Sequence, residues 1–127
     1  MEFKMKEHSF QAEFEYGTID ISGDAQYGFR PYQLLVSSVA VCSGGVMRKI
    51  LDKMRIPYED IRIKADVTRN PDEADRIERI ALHFELKGID IADERMEKVM
   101  ALTRKNCAMY QSVKDSIDIQ ETFTIIK

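Results

Sequence analysis

Apolar and polar side chains alternate near the N-terminus, with Phe10, Ala12, Phe14 and Tyr16 on one side and Gln11, Glu13 and Glu15 on the other. That period of two predicts a half-buried strand ending at Gly17. Thr18-Ile-Asp-Ile-Ser22 alternates again, and Gly17 between the two runs predicts a tight hairpin. After Tyr27-Gly-Phe-Arg-Pro31 the spacing becomes helical, and Pro31 suits a first helical position because its missing N–H has no partner to lose there. This helix is expected over residues 31 to about 54, stopping before Pro57. Residues 34–47 carry no charge, and apolar side chains point in every direction, so the helix must be covered on most sides. The uncharged stretch is too short to cross a bilayer. Only the last turns become amphipathic, with Arg48, Lys49, Asp52 and Lys53 facing water.

Two more strands follow. Ile61, Ile63, Ala65 and Val67 alternate with Arg62, Lys64, Asp66 and Thr68; Ile80, Leu82, Phe84 and Leu86 alternate with Ala81, His83, Glu85 and Lys87. Asn70-Pro-Asp-Glu-Ala-Asp75 is the polar turn between them, and Gly88 ends the second. Asp93 or a neighbour caps a helix whose apolar face carries Met96, Val99, Met100 and Thr103. Asn106 interrupts that pattern and is the expected N-cap of a second helical piece, before a last strand over residues 117–127. The order of strands, long helix, two strands, helices and strand predicts an α+β fold, with antiparallel sheets around a helical centre.

Composition narrows the function classes. The 127 residues predict one domain, 1–127, able to bury roughly two-thirds of its unfolded surface. Nineteen basic against 22 acidic residues give a net charge of −3, which removes the signature of a dedicated nucleic-acid binder. With neither a spanning run nor the apolar core of a signal peptide, the expectation is a cytoplasmic protein without a membrane partner. His8, His83, Cys42 and Cys107 do not fall in the close pairs of a structural zinc site, and His83 lies on the polar face of its strand, so no metal is expected. Cys42-Ser-Gly-Gly45 lacks the phosphate-loop spacing, and there is no Gly-x-Ser-x-Gly elbow.

The two cysteines remain. In a reducing compartment any pairing between them is transient and chemical, the alternative being two small buried hydrophobes. On a helix Ser38, Cys42 and Gly45 share one face, and Ser37, Ala40 and Gly44 form a second narrow stripe. Such a groove either seats another helix or leaves room for a substrate beside the Cys42 sulfur. Cys42 lies roughly 16 Å along the axis from the helix start, too far for that terminus to acidify it. Cys107 follows Arg104 and Lys105 and falls in the first turn of a helix if Asn106 is its cap. Local sequence thus predicts Cys107 as the more acidic thiol, unless burial reverses the ranking.

Gly28-Phe-Arg-Pro-Tyr-Gln-Leu-Leu-Val-Ser-Ser-Val-Ala-Val-Cys42, together with Asn106-Cys-Ala-Met-Tyr-Gln-Ser-Val113, resembles the OsmC/Ohr family of osmotically induced and organic-hydroperoxide-resistance proteins. The resemblance covers nearly the whole chain. It implies an OsmC-like fold in which antiparallel sheets wrap long central helices of an intertwined homodimer. It also implies that Cys42 attacks the O–O bond of an organic hydroperoxide and becomes a sulfenic acid, that Cys107 resolves it to a disulfide, and that an external dithiol restores both thiols without a bound cofactor. The chain departs from the family in two places. Tyr32 stands where the family carries a glutamate that orients an arginine from an N-terminal loop, and residues 1–29 hold no arginine; Ala108 stands where proline is common. A divergent OsmC-like branch is the result.

The leading expectation is a thiol-dependent peroxidase with an apolar, substrate-binding pocket lined by Tyr32 with Tyr27, Phe29, Met47 and Met109, the alternative for those side chains being core or dimer contact. Against it stands a dimeric redox-sensing or apolar-ligand-binding module without efficient turnover.

Overall fold

The N-terminal alternation builds a three-stranded antiparallel sheet in the order β1 (Lys4–Met5), β2 (Phe10–Glu13), β3 (Thr18–Ile21). β1 carries no alternation of its own. The hairpin between β2 and β3 closes through reciprocal backbone bonds between Phe14 and Gly17, of 2.9 and 3.1 Å, so Glu15 and Tyr16 make the turn and Gly17 only flanks it. Phe14 and Tyr16 thereby leave the ladder; both are exposed, as is Phe10 within it, so that of the four residues expected on the inner side Ala12 is the buried one. The computed structural model describes residues 1–126, which hold two three-stranded sheets and three α-helices and divide into two compact units, Met1–Ser37 and the remainder from Ser38.

In the first unit Gly28 is required by a close backbone approach. The Phe29 N–H donates to the Asp20 carbonyl at 2.9 Å, and the Ser22 N–H donates to the Phe29 carbonyl at 3.1 Å. A Cβ on Gly28 would lie 2.7 Å from the Asp20 carbonyl oxygen. Backbone cannot yield as a flexible side-chain end does, so Gly28→Ala is expected to destabilise the fold by about 2 kcal/mol. In a urea titration the midpoint falls with an unchanged slope.

α1 (Pro31–Lys53) begins at the proline and ends one residue short of the expected Met54. Its stop is made by Arg55, in the left-handed region at φ 56°, more than by Pro57. The Ile56 N–H reaches the Leu51 carbonyl and the Arg55 N–H the Asp52 carbonyl, a Schellman closure with Ile56 buried. Val39, Ser43, Met47 and Leu51 recur every four residues and are at most 1% exposed, so one stripe of α1 is core. The whole helix is longer than its uncharged stretch. By length and composition alone it reaches what a membrane crossing requires, with a mean hydropathy of 1.5 over its most apolar window.

β4 (Asp60–Asn70) pairs antiparallel with β5 (Arg76–Lys87), as the two alternations predict. β6 (Asp118–Ile126) lies on the other side of β5 and runs parallel to it, which corrects the expectation of purely antiparallel sheets. The reason is the connection: α2 (Asp93–Asn106) and α3 (Ala108–Val113) cross over between β5 and β6 and return the chain to the same end of the sheet. Residue Lys127, the last of the predicted strand, lies outside the described residues. Central β5 supplies Ile80, Leu82, Phe84 and Leu86 to the core, and α2 supplies the expected Met96, Val99, Met100 and Thr103. The N-cap of α2 is Ala92, with no side-chain cap; Asp93 and Glu94 instead place their charges in the first turn, where the helix dipole favours them.

Candidate functional site

Cys42 lies midway along α1, and Cys107 lies where α2 breaks into α3. The break is at Cys107 itself, whose backbone is extended (φ −87°, ψ 110°). Asn106 is therefore the last residue of α2, with its side-chain amide donating to the Leu102 carbonyl at 2.9 Å, and the N-cap of α3 is Cys107. The Cys107 Sγ accepts the Tyr110 N–H at 3.4 Å. It also accepts the Ser43 hydroxyl at 3.4 Å, and both residues are fully buried. Gln111 braces the break, with its side chain donating to the Arg104 carbonyl and its backbone N–H to the Cys107 carbonyl, each at 3.0 Å. Gly44, next to Ser43, is buried, and a Cβ there would meet the tip of the Ile63 side chain, Cδ1, at 2.8 Å.

Both cysteines are free and hydrogen-bonded to each other. The Cys42 thiol is held below the ordinary thiol value chiefly by the Met109 backbone N–H, helped by the Cys107 thiol, the Ala108 N–H and the charge of Lys49, with partial burial opposing. Cys107 is pushed up by burial, which the Ser43 hydroxyl and Tyr110 N–H offset in part, and by the neighbouring Cys42. The acidity ranking predicted from local sequence is thus reversed. The free N–H groups of α3 point across space at Cys42, whereas Cys107, covalently adjacent to them, is sealed from water. The cation acting on Cys42 is a lysine seven positions along α1, and the opposite shifts make Cys42 the more readily ionised thiol, with the Cys107 S–H as its hydrogen-bond donor.

Tyr32 occupies the first turn of α1, with the Arg30 guanidinium 4.8 Å from its ring centroid, a cation–π contact where the family pattern has an ion pair. Of the other predicted pocket residues, Met47 is fully enclosed in the α1 stripe and is a core residue, while Tyr27, Phe29 and Met109 are exposed. Tyr27 stacks on His8 at 4.1 Å. His83 bridges Thr122 and Thr124 of β6 through its two ring nitrogens, at 2.7 and 2.9 Å. Among the described residues no three His, Cys, Asp or Glu side chains gather as a metal would need.

One feature near the site has a signal in sequence. Glu121 falls in the inward set Ile119, Glu121, Phe123 and Ile125 of β6, pairs in register with Leu82, and has a fully enclosed side chain. Arg104, three residues before Cys107, holds it at 3.4 Å, and the Glu121 Oε1 has no hydrogen-bond partner. Ser43 and Lys49 carry no such signal.

A profile of the family described as OsmC-like protein matches residues 22–122. The chain belongs to the OsmC-like family. Solved structures agree in fold with this OsmC-like chain. A hypothetical protein from Aquifex aeolicus VF5 is 24% identical, with a TM-score of 0.86 over 98% of this chain and 93% of that one. An OsmC-like protein from Mycoplasma pneumoniae is 16% identical, with a TM-score of 0.82 over 94% and 89%. An organic hydroperoxide resistance protein OsmC from Legionella pneumophila is 16% identical, with a TM-score of 0.76 over 97% and 93%. No curated protein sequence matches the chain.

Proposed function

We propose that this OsmC-like protein is a thiol-dependent peroxidase that reduces organic hydroperoxides. The observation that carries the reading is the hydrogen bond between two free thiols, one made more acidic by the N–H groups of α3 and the other a buried donor to it. The Cys42 thiolate attacks the outer oxygen of the hydroperoxide; the O–O bond breaks, a proton goes to the departing alkoxide, and an alcohol and a Cys42 sulfenic acid result. The Cys107 sulfur then displaces that hydroxyl as water and forms the disulfide, which an external dithiol reduces. The names of the Legionella protein and of OhrB from Bacillus subtilis, both organic hydroperoxide resistance proteins, support an organic hydroperoxide as substrate. So does the exposed Met109 side chain, whose own backbone N–H is the main donor to Cys42.

The working unit in this reading is a cytoplasmic homodimer. Only 33% of the most apolar window of α1 is buried within one chain, and Val41, next to Cys42, is 70% exposed, which leaves apolar surface for a second copy to cover. Sedimentation at micromolar concentration is expected to give twice the chain mass.

Arg30 stacked on Tyr32, in place of an activating ion pair, favours one second reading: a redox sensor that oxidises once without turning over. Steady-state consumption of t-butyl and cumene hydroperoxides with a dithiol reductant separates the two. The peroxidase sustains turnover and prefers these to hydrogen peroxide. The sensor shows one loss of two hydrogens per chain by intact mass and then stops.

A further inference from the structure

We propose that Ser43 is a further catalytic residue of the resolving step, its hydroxyl stabilising the negative charge that develops on Cys107 Sγ as that sulfur attacks oxidised Cys42. The inference rests on the peroxidase reading above. Ser43 is the polar member of a buried stripe whose other members are Val39, Met47 and Leu51. A buried hydroxyl is costly unless it is bonded, and alanine would suit the helix better. The bond that Ser43 makes is to Cys107 Sγ. A neutral thiol sulfur is a weak acceptor and a thiolate a strong one, so this hydrogen bond strengthens when Cys107 ionises, which is the condition for accelerating a step. The Tyr110 N–H converges on the same atom, so each sulfur has its own donors: Met109 and Ala108 for Cys42, Ser43 and Tyr110 for Cys107.

The separation of donors gives the two thiols an order of ionisation. While Cys42 is a thiolate, its charge opposes ionisation of Cys107. Once Cys42 is a neutral sulfenic acid the opposition of its charge is gone, and the Ser43 and Tyr110 donors act on Cys107 against its burial alone. In the step itself the Cys107 sulfur supplies an electron pair to Cys42 Sγ, the S–O bond breaks, and the hydroxyl leaves as water with the Cys107 proton. No further oxidant is required.

The test uses the full chain carrying Ser43→Ala, with native helicity checked by circular dichroism. After one equivalent of t-butyl hydroperoxide, sulfenic acid is trapped with dimedone and disulfide is followed by intact mass. Sulfenic acid is expected to form within twofold of the wild-type rate, its conversion to disulfide to slow about tenfold, and the midpoint of that conversion to move to higher pH. Conversion at the wild-type rate with an unmoved midpoint overturns the proposal. A second measurement needs no peroxide: in a Cys42→Ser background, the Cβ chemical shift of isotopically labelled Cys107 is titrated with and without Ser43→Ala. An upward midpoint supports the proposal and an unmoved one overturns it. If the wild-type chain forms no sulfenic acid, the peroxidase reading fails, and this titration still decides whether Ser43 stabilises the Cys107 thiolate.

Discussion

Serine in place of Cys42 abolishes hydroperoxide turnover, leaving consumption at the buffer background, because a hydroxyl at that position has no accessible anionic form to attack oxygen. Cys107→Ser has a different outcome. The first oxidation survives, the chain stalls as a sulfenic acid, and excess peroxide carries it on to the sulfinic acid. Intact mass resolves the two variants in one experiment: no added oxygen on the first, one and then two on the second. The pH profile follows from the direction of the Cys42 shift. Its thiolate is favoured by the Met109 and Ala108 N–H groups and the Cys107 thiol, so the first oxidation reaches half its maximal rate below the pH of an ordinary thiol. Because that folded value is depressed, ionised Cys42 stabilises the fold fully above the unfolded thiol value, and this stabilisation is lost as pH falls through the folded one. Cys107→Ala, which removes one donor, moves the half-maximal point upward; Cys107→Ser, which keeps an O–H there, moves it less. Iodoacetamide alkylation of Cys42 against pH measures both. A profile centred at or above the ordinary thiol value would count against Cys42 as the attacking sulfur.

The second large effect is on stability. Arg104→Ala leaves the Glu121 carboxylate enclosed on the inner face of β6 without its counter-charge, and is expected to cost about 3 kcal/mol at pH 8. Burial raises the Glu121 carboxyl above the ordinary range, with the Arg104 charge opposing in part. The sign follows. A raised folded value means that its contribution to stability is fully present below the unfolded carboxyl pKa and is lost as pH rises through the folded one. Glu121→Gln, which keeps the shape and removes the charge, is therefore expected to equal or exceed the wild type at pH 8 and to lose that advantage in mild acid. Urea midpoints for the three proteins at pH 5 and pH 8 check this. An Arg104→Ala deficit that did not shrink in acid would place the cost in lost packing of the arginine stem and not in the stranded carboxylate.

The local part of the fold was legible because its causes are local. Strand alternation found β4 and β5, the apolar face of α2 was read residue by residue, and Pro31 marked the first turn of α1. The two cysteine motifs placed the chain in its family. The hairpin was displaced because a turn is decided by which backbone groups bond each other, here Phe14 with Gly17, and not by the position of a glycine alone. Glu121 was visible as a carboxylate in an apolar register, but its partner was not.

What the amino-acid order determined by itself is the set of elements, the core faces of β4, β5 and α2, and the presence of two cysteines in unlike settings. Only the tertiary structure decided that β6 joins β5 in parallel, and that the acidic thiol is Cys42. Both outcomes depend on groups far apart in the chain. Ser43 and Cys107 are 64 residues from each other, and the N–H groups that hold the Cys42 thiolate belong to a helix formed after the sheet is largely complete in sequence. A thiol's acidity is the balance of its burial, donors and charges in space, and local sequence supplies only the smallest part of that balance.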